Sequence, residues 1–381
     1  MKLMSKVNLC HLPFLIIIVF STVQFFLILR HKNPYLSDSY FYEHIYYQMQ
    51  GDNFQSAKNK IQSEVDPQTI DAVTKNIFFN DKSYKNSYSF FTKRPLYPFS
   101  AFLISSVLKN TYWNMLIPVF LSYIGLISLI YFFYFKSLKG VYAILAAGLF
   151  ISFYPFLDWS TYFLTDTIAA FFWFLQILFI YKFIGQNNKH SFTLYSISLI
   201  ISLFIREQSI LMLPLLCVMA IICYVLKFPK NTISKLIKIL TATFLIVTAY
   251  IMVSLLFKQR TIIDTIVYTQ NSYGFTNYLF SPRDTLNYEI NAIFVSHRAF
   301  LLDLFSHHWW FTFSLISAYG IFISFKDKGK QILPALFISS AIASYFSIFI
   351  YPVLSYRYFY PVLFSIIYFA IFSLQSFFKK Y

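Results

Sequence analysis

Ten apolar runs, at about 12–29, 113–135, 140–157, 162–181, 192–205, 209–226, 239–257, 309–325, 332–353 and 359–378, decide what this chain can become. A helix needs about 20 apolar residues to cross the hydrocarbon core of a bilayer, and the chain offers such runs repeatedly. Only 12% of its 381 residues are charged and 58% are hydrophobic, whereas a soluble domain carries roughly 25% charged residues. The expectation is an all-α polytopic membrane protein of about ten transmembrane helices, with 1–381 as a single domain. The first run is read as a retained span, because no small-residue cleavage site follows it, only Arg30-His31-Lys32.

The run 192–226 sets the parity of that count. As one helix it would be 35 residues long with Arg206-Glu207 at its middle. As two helices broken at Arg206-Glu207-Gln208, it keeps the lysine-rich segments on one side. That side then carries fifteen lysines against one acid, Asp327, and the other carries sixteen basic residues against fourteen acids. This asymmetry is the positive-inside pattern and puts both termini in the cytoplasm. It absorbs about +14 of the formal net charge of +16, so no nucleic-acid footprint remains. The three cysteines, Cys10, Cys217 and Cys223, lie in or beside apolar runs and show neither a disulfide framework nor metal-ligand spacing.

Two outer segments are long, about 30–112 and 258–308. The first opens with Asn33-Pro34-Tyr35-Leu36-Ser37-Asp38 and continues as an amphipathic aromatic helix from Asp38 to Met49, at headgroup depth in the interface. Short helices are expected over Asn53 to Val65 and Pro67 to Phe79, the second with Asp66 as its N-cap. Lys93-Arg94-Pro95-Leu96-Tyr97-Pro98 then begins an apolar helix, to about Leu108, that is too short to span. The second outer segment has turn signals at Ser272-Tyr273-Gly274 and Ser281-Pro282-Arg283.

Seven charged residues stand out against this apolar background. Asp38 follows Ser37 at a helix start, where an acid also complements the helix dipole. Glu43 lies five residues on, about 140° around a helix, so both acids reach one ligand only if Asp38 sits in the non-helical lead-in. Asp166 is a lone acid at the start of an apolar span, a functional candidate by default. Arg206 would be recessed at the end of a piece of about 14 residues, roughly 21 Å long at 1.5 Å per residue; a simple pair with Glu207 is the plainer reading. Arg357, set among tyrosines at a span mouth, either serves a site or snorkels. Lys93 and Arg94 complete the set. His307-His308-Trp309-Trp310 reads as an interfacial anchor rather than a metal site.

The order of these features resembles the GT-C superfamily of membrane glycosyltransferases, which includes protein O-mannosyltransferases and lipid A aminoarabinose transferase. The resemblance rests on Asp38 with Tyr42-Glu43, on Arg94-Pro95-Leu96-Tyr97-Pro98, on Leu164-Thr165-Asp166, on Phe204-Ile205-Arg206 and on Tyr356-Arg357-Tyr358-Phe359-Tyr360-Pro361. It covers most of the chain and is weakest over 51–92 and 258–308. It implies a GT-C-like fold and a polyprenyl-phosphate-linked sugar donor. The acceptor would be a glycan, lipid or protein of the cell envelope, with membrane lipids as the surroundings and no nucleic acid. It places the general base at Asp38. A frequent variant has two adjacent acids, whereas Ser39 follows Asp38 here, so Glu43 stays open as sharing the role.

Such a donor already carries a good leaving group, so the protein must deprotonate an acceptor hydroxyl and neutralise the departing phosphate. A carboxylate suits the first task and Arg or Lys the second. Lys93, Arg94, Arg206 and Arg357 are accordingly expected at the donor phosphate and Asp166 at the acceptor or as a second acid. No cofactor is certain; family members differ on a divalent cation, which stays open, and no metal ligand is assigned. Richness in Lys, Ile, Phe and Asn suggests an AT-rich bacterial source, hence the cytoplasmic membrane with the site on its outer face. Two alternatives stand beside this reading. A polysaccharide polymerase or ligase is kept alive by Arg260, Arg283 and Arg298, and a lipid-linked sugar transporter or flippase is disfavoured by polar groups clustered at one face rather than the midplane.

Overall fold

A computed structural model describes residues 2–68, 70–261, 308–326, 332–349 and 356–378, with isolated positions between 264 and 302. Among these residues every regular element is a helix. In chain order they are α1 (Lys2–Arg30), α2 (Ser37–Met49), α3 (Phe54–Glu64), α4 (Ala72–Phe79), α5 (Asp81–Tyr88), α6 (Leu96–Ser105), α7 (Thr111–Ser137) and α8 (Gly140–Ile151). There follow α9 (Tyr154–Ser160), α10 (Asp166–Gly185), α11 (His190–Ile205), α12 (Met212–Val225), α13 (Lys230–Leu256), α14 (His308–Lys326), α15 (Ile332–Tyr345) and α16 (Tyr360–Phe378). The turn signals at 272–274 and 281–283, with Arg283, lie outside the described residues, as do Asp327 and His307.

The count of ten spans is corrected. Among the described residues six helices are long and apolar enough to cross a membrane, or up to seven if the pair Gly140–Ile151 and Tyr154–Ser160, bent by 62°, is one span. The reason is length rather than polarity. Apolar sequence persists through 192–205, 309–325 and 332–353, but helix α11 has 16 residues, the apolar stretch of α14 is Phe311–Lys326, and α15 has 14 residues before a 3-10 turn at Phe346–Phe349. At 1.5 Å per residue these reach roughly 21–24 Å, short of a ~30 Å core. The segment 30–112 also differs in detail. Helix α4 starts at Ala72 rather than Pro67, because Asp71 and not Asp66 caps it: the Asp71 carboxylate accepts from the Thr74 N–H at 2.9 Å. Asp66 instead closes a local turn to the Gln68 N–H.

The spans sort their faces as a lipid-embedded bundle must. On α1, Leu12, Leu15, Ile16, Val19 and Val23 are exposed, while Ile17, Ser21, Phe25 and Leu29, four residues apart, are buried. Phe25 packs on Tyr123 of α7 with ring centroids 5.0 Å apart. Helix α10 occupies the interior, where Trp173 donates to the Ser340 hydroxyl of α15 at 2.8 Å and Gln176 to the Ser202 hydroxyl of α11 at 2.6 Å. Such interhelical hydrogen bonds add to van der Waals packing where lipid leaves no hydrophobic driving force between helices. Helix α14 lies so close to α16 that a Cβ on Gly320 would collide with the backbone of Phe369. Only glycine fits that crossing.

Candidate functional site

The ends of four elements converge on one place: the lead-in and first turn of α2, the N-terminus of α10, the C-terminus of α11 and the short helix Tyr356–Tyr358 before α16. One backbone bond sets the first two side by side, the Phe163 N–H donating to the Pro34 carbonyl at 3.0 Å. The start of α2 is closed by Ser39, whose hydroxyl accepts from the Leu36 N–H at 3.1 Å. This leaves the Asp38 carboxylate, in the same turn, unused for capping. Its side chain is 41% exposed, with Oδ2 3.9 Å from Arg357 Nη1.

Arg357 bridges outward to Asp38 and inward to Asp166, whose Oδ1 is 3.8 Å from Arg357 Nε. Neither contact is as short as a hydrogen bond. Its guanidinium lies 5.2 Å from the Trp159 ring centroid and 4.8 Å from that of Tyr358, cation–π distances that suit Arg. Asp166 is 1% exposed at its side chain and is ion-paired to Arg206 at 2.8 Å. Arg206 stands where α11 breaks: its backbone is extended (φ −161°, ψ 128°), so the chain leaves the helix and its side chain turns toward α10. It donates to the Thr165 hydroxyl and to the Tyr358 hydroxyl, both at 3.2 Å. A cleft runs from Asp166 and Arg357 past Gln208 and Ser209 to Ala169, Ala170 and Trp173.

Lys93 and Arg94 sit in a second, closed cluster around Glu207. Arg94 grips that carboxylate with two bonds, Nε to Oε2 at 2.8 Å and Nη2 to Oε1 at 2.7 Å. Lys93 Nζ lies 3.0 Å from Oε1, and its side chain is 3% exposed. Burial pulls the Lys93 ammonium below its ordinary pKa, with the Glu207 charge opposing. Tyr42 joins the two clusters: Arg94 Nη1 donates to its hydroxyl at 3.2 Å, and that hydroxyl shares a hydrogen bond with Thr165 at 3.1 Å. A continuous polar path therefore links Glu207 to Asp166.

The seven expected residues thus fall into three places. Asp38, Asp166, Arg206 and Arg357 meet in one network. Lys93 and Arg94 belong to the closed cluster, whose carboxylate, Glu207, the sequence offers only as the alternative partner of Arg206. Its own signal was visible, since it is an acid inside a run of apolar residues. Glu43 points elsewhere, toward Tyr35, Tyr47 and Glu64. Burial, and after it the charge of Glu64, push its carboxyl up to about 8. His44, next to it, is fully buried against the Tyr84 hydroxyl at 2.6 Å, and burial, with Lys58 nearby, pulls it down to about 4.

Among the described residues three carboxylates (Asp38, Asp166, Glu207) face four cations (Lys93, Arg94, Arg206, Arg357) across the two joined clusters, and the pair Arg260–Asp264 beside Lys93 adds no net charge, so one positive charge is in excess. That balance, with Arg357 at the exposed end, suits an anionic group beside an available carboxylate. Among the described residues no group of three or more His, Cys, Asp or Glu side chains is placed to hold a metal ion. Comparison of the sequence with known protein families and with curated proteins finds no match.

Proposed function

We propose that this chain is an integral-membrane glycosyltransferase of GT-C type. It moves a sugar from a polyprenyl-phosphate monosaccharide to a cell-envelope acceptor on the outer face of the cytoplasmic membrane, with both termini cytoplasmic. The observation that carries the reading is the pairing of Asp38, a part-exposed carboxylate not used as a cap, with Arg357, a guanidinium held by long contacts. Asp38 would act as the base, and Arg357, which lines the cleft with Asp166, as the phosphate-binding cation. In the proposed reaction Asp38 takes the proton of the acceptor hydroxyl as its oxygen bonds to the anomeric carbon. The bond from that carbon to the phosphate oxygen breaks on the opposite face, and its electron pair leaves with the polyprenyl phosphate. Configuration inverts in this single displacement. Arg357, with Arg206 behind it, meets the charge growing on the phosphate, the step at which electrostatic stabilisation counts most. Asp166 holds both arginines, and Lys93 and Arg94 serve through their hold on Glu207.

The test is sugar transfer by membranes carrying wild type or Asp38→Asn, supplied with radiolabelled polyprenyl-phosphate hexoses and host envelope acceptors. The expected loss is about 10²–10⁴-fold, the range for removing a general base, with the variant inserted and abundant. Normal transfer by Asp38→Asn removes Asp38 from the chemistry. A cytoplasmic location of 30–112 in cysteine-accessibility mapping sinks the transferase reading altogether.

A further inference from the structure

Five residues past Asp38, helix α2 carries an acid that the proposed chemistry does not use. Glu43 is 1% exposed. Its Oε1 accepts from the Tyr35 hydroxyl at 3.4 Å and from the Tyr47 hydroxyl at 3.2 Å. Its Oε2 is buried with no hydrogen-bond partner. The Tyr47 hydroxyl also lies 3.0 Å from Oε1 of Glu64, the last residue of α3. A phenol has one proton to donate, so it cannot satisfy both carboxyls at once.

The groups facing Glu43 are Tyr35 from the lead-in to α2, Tyr40 from its first turn, Tyr47 from its last turn, Tyr97 from α6 and Glu64 from α3, whose carboxyl also meets that of Glu43 directly. Thr111 of α7 meets the Tyr47 hydroxyl from behind. Lys60 of α3 lies 4.9 Å from the Tyr47 ring centroid, but its ammonium is paired with Asp52 at 2.5 Å. Two carboxyls therefore close on one phenol among neutral hydroxyls. A buried carboxylate in such surroundings takes up a proton rather than stay ionised.

We propose that Glu43 keeps its proton at neutral pH and, through Tyr47, clasps Glu64 and hence α3 onto α2, and that losing this proton in mild alkali opens the clasp. The proton count closes: a protonated Glu43 gives its acidic hydrogen to the Tyr47 oxygen, reversing the donor at the 3.2 Å contact, which frees the one phenolic hydrogen of Tyr47 for Glu64. Glu43 has an ordinary value of 4.5 and stands at about 8 in the folded protein. Between these values the clasped form holds a proton that an open, solvated Glu43 lacks. Clasping therefore weakens as pH rises through that window, by about tenfold per pH unit, and levels off above the upper value. Because α2 carries Asp38 in its first turn and Tyr42 on the path to Arg94, the clasp couples pH to the mount of the candidate site. It stands independently of the transferase reading.

The test uses the full chain in lipid nanodiscs, with no activity assay. Infrared spectra in heavy water should show the carbonyl stretch of a protonated carboxylic acid at pH 7 that fades near pH 8 and is absent from Glu43→Gln. Hydrogen exchange of the α3 amides, corrected for the intrinsic base-catalysed rate, should show opening rise by about 100-fold from pH 6 to pH 8 in the wild type. It should be flat in Glu43→Gln, whose amide cannot ionise. Glu64→Gln, which removes the neighbouring charge and keeps the shape, should move the midpoint down and covers the case in which Glu43→Gln does not fold. A wild type without the band, a band that survives Glu43→Gln, or one that appears only after chelation of divalent cations overturns the proposal.

Discussion

The two joined charge clusters have similar ingredients and opposite construction. Around Glu207, Arg94 makes two bonds of 2.7–2.8 Å, and every side chain is 9% exposed or less. Around Arg357, both carboxylates stand at 3.8–3.9 Å, and exposure rises outward from Asp166 at 1% to Asp38 at 41%. A carboxylate gripped at both oxygens inside the protein has no capacity left for a ligand, and its removal strands two buried cations. A guanidinium with long contacts keeps donors in reserve and loses little when moved. On the proposed function, burial with short geometry belongs to the frame of the site, and partial exposure with slack geometry to its reacting end.

Substitutions can break that contrast, the largest effects falling on the closed cluster. Glu207→Ala should cost about 3–5 kcal/mol of stability, the penalty for leaving a buried charge unpaired, measured by denaturant unfolding in micelles. Arg94→Ala should do nearly the same, and the double variant should cost much less than the sum. Arg357→Ala should cost only about 0–1 kcal/mol, as a part-exposed pair with long contacts does, while abolishing most sugar transfer. Equal stability losses in Arg94→Ala and Arg357→Ala would erase the distinction. The smallest effect sharpens it: Tyr42→Phe removes the hydrogen-bonded joint between the clusters and should cost about 0.5–1.5 kcal/mol. In Tyr42→Phe the response to Arg357→Ala should no longer depend on Arg94, as read by a double-mutant cycle.

Much of this arrangement was legible before any coordinates. The break at Arg206-Glu207-Gln208 could be read because two apolar runs flank a polar triplet with two charges, which a lipid-embedded helix rarely carries at its middle, and helix α11 indeed ends at Ile205. Asp38, Asp166, Arg206 and Arg357 could be singled out because membrane-level charges are rare and conspicuous. The count of ten spans failed for a related reason. Hydropathy registers apolar residues but not where a helix stops, so α11, α14, α15 and the bent pair α8–α9 read as full crossings.

Pairing was decided elsewhere. Glu207 is the chain neighbour of Arg206, yet its carboxylate goes to Arg94 and Lys93, 113 and 114 positions away, while Arg206 turns to Asp166. Glu43 shares a helix with Asp38 but faces Glu64 through Tyr47. By itself the sequence determined that the chain is helical and membrane-embedded and which few residues carry its charge, because the cost of burying polar groups in lipid is paid residue by residue. Only the tertiary structure decided which acid meets which base, because the strength of an ion pair depends on distance and burial, and both arise where helices distant in sequence come together.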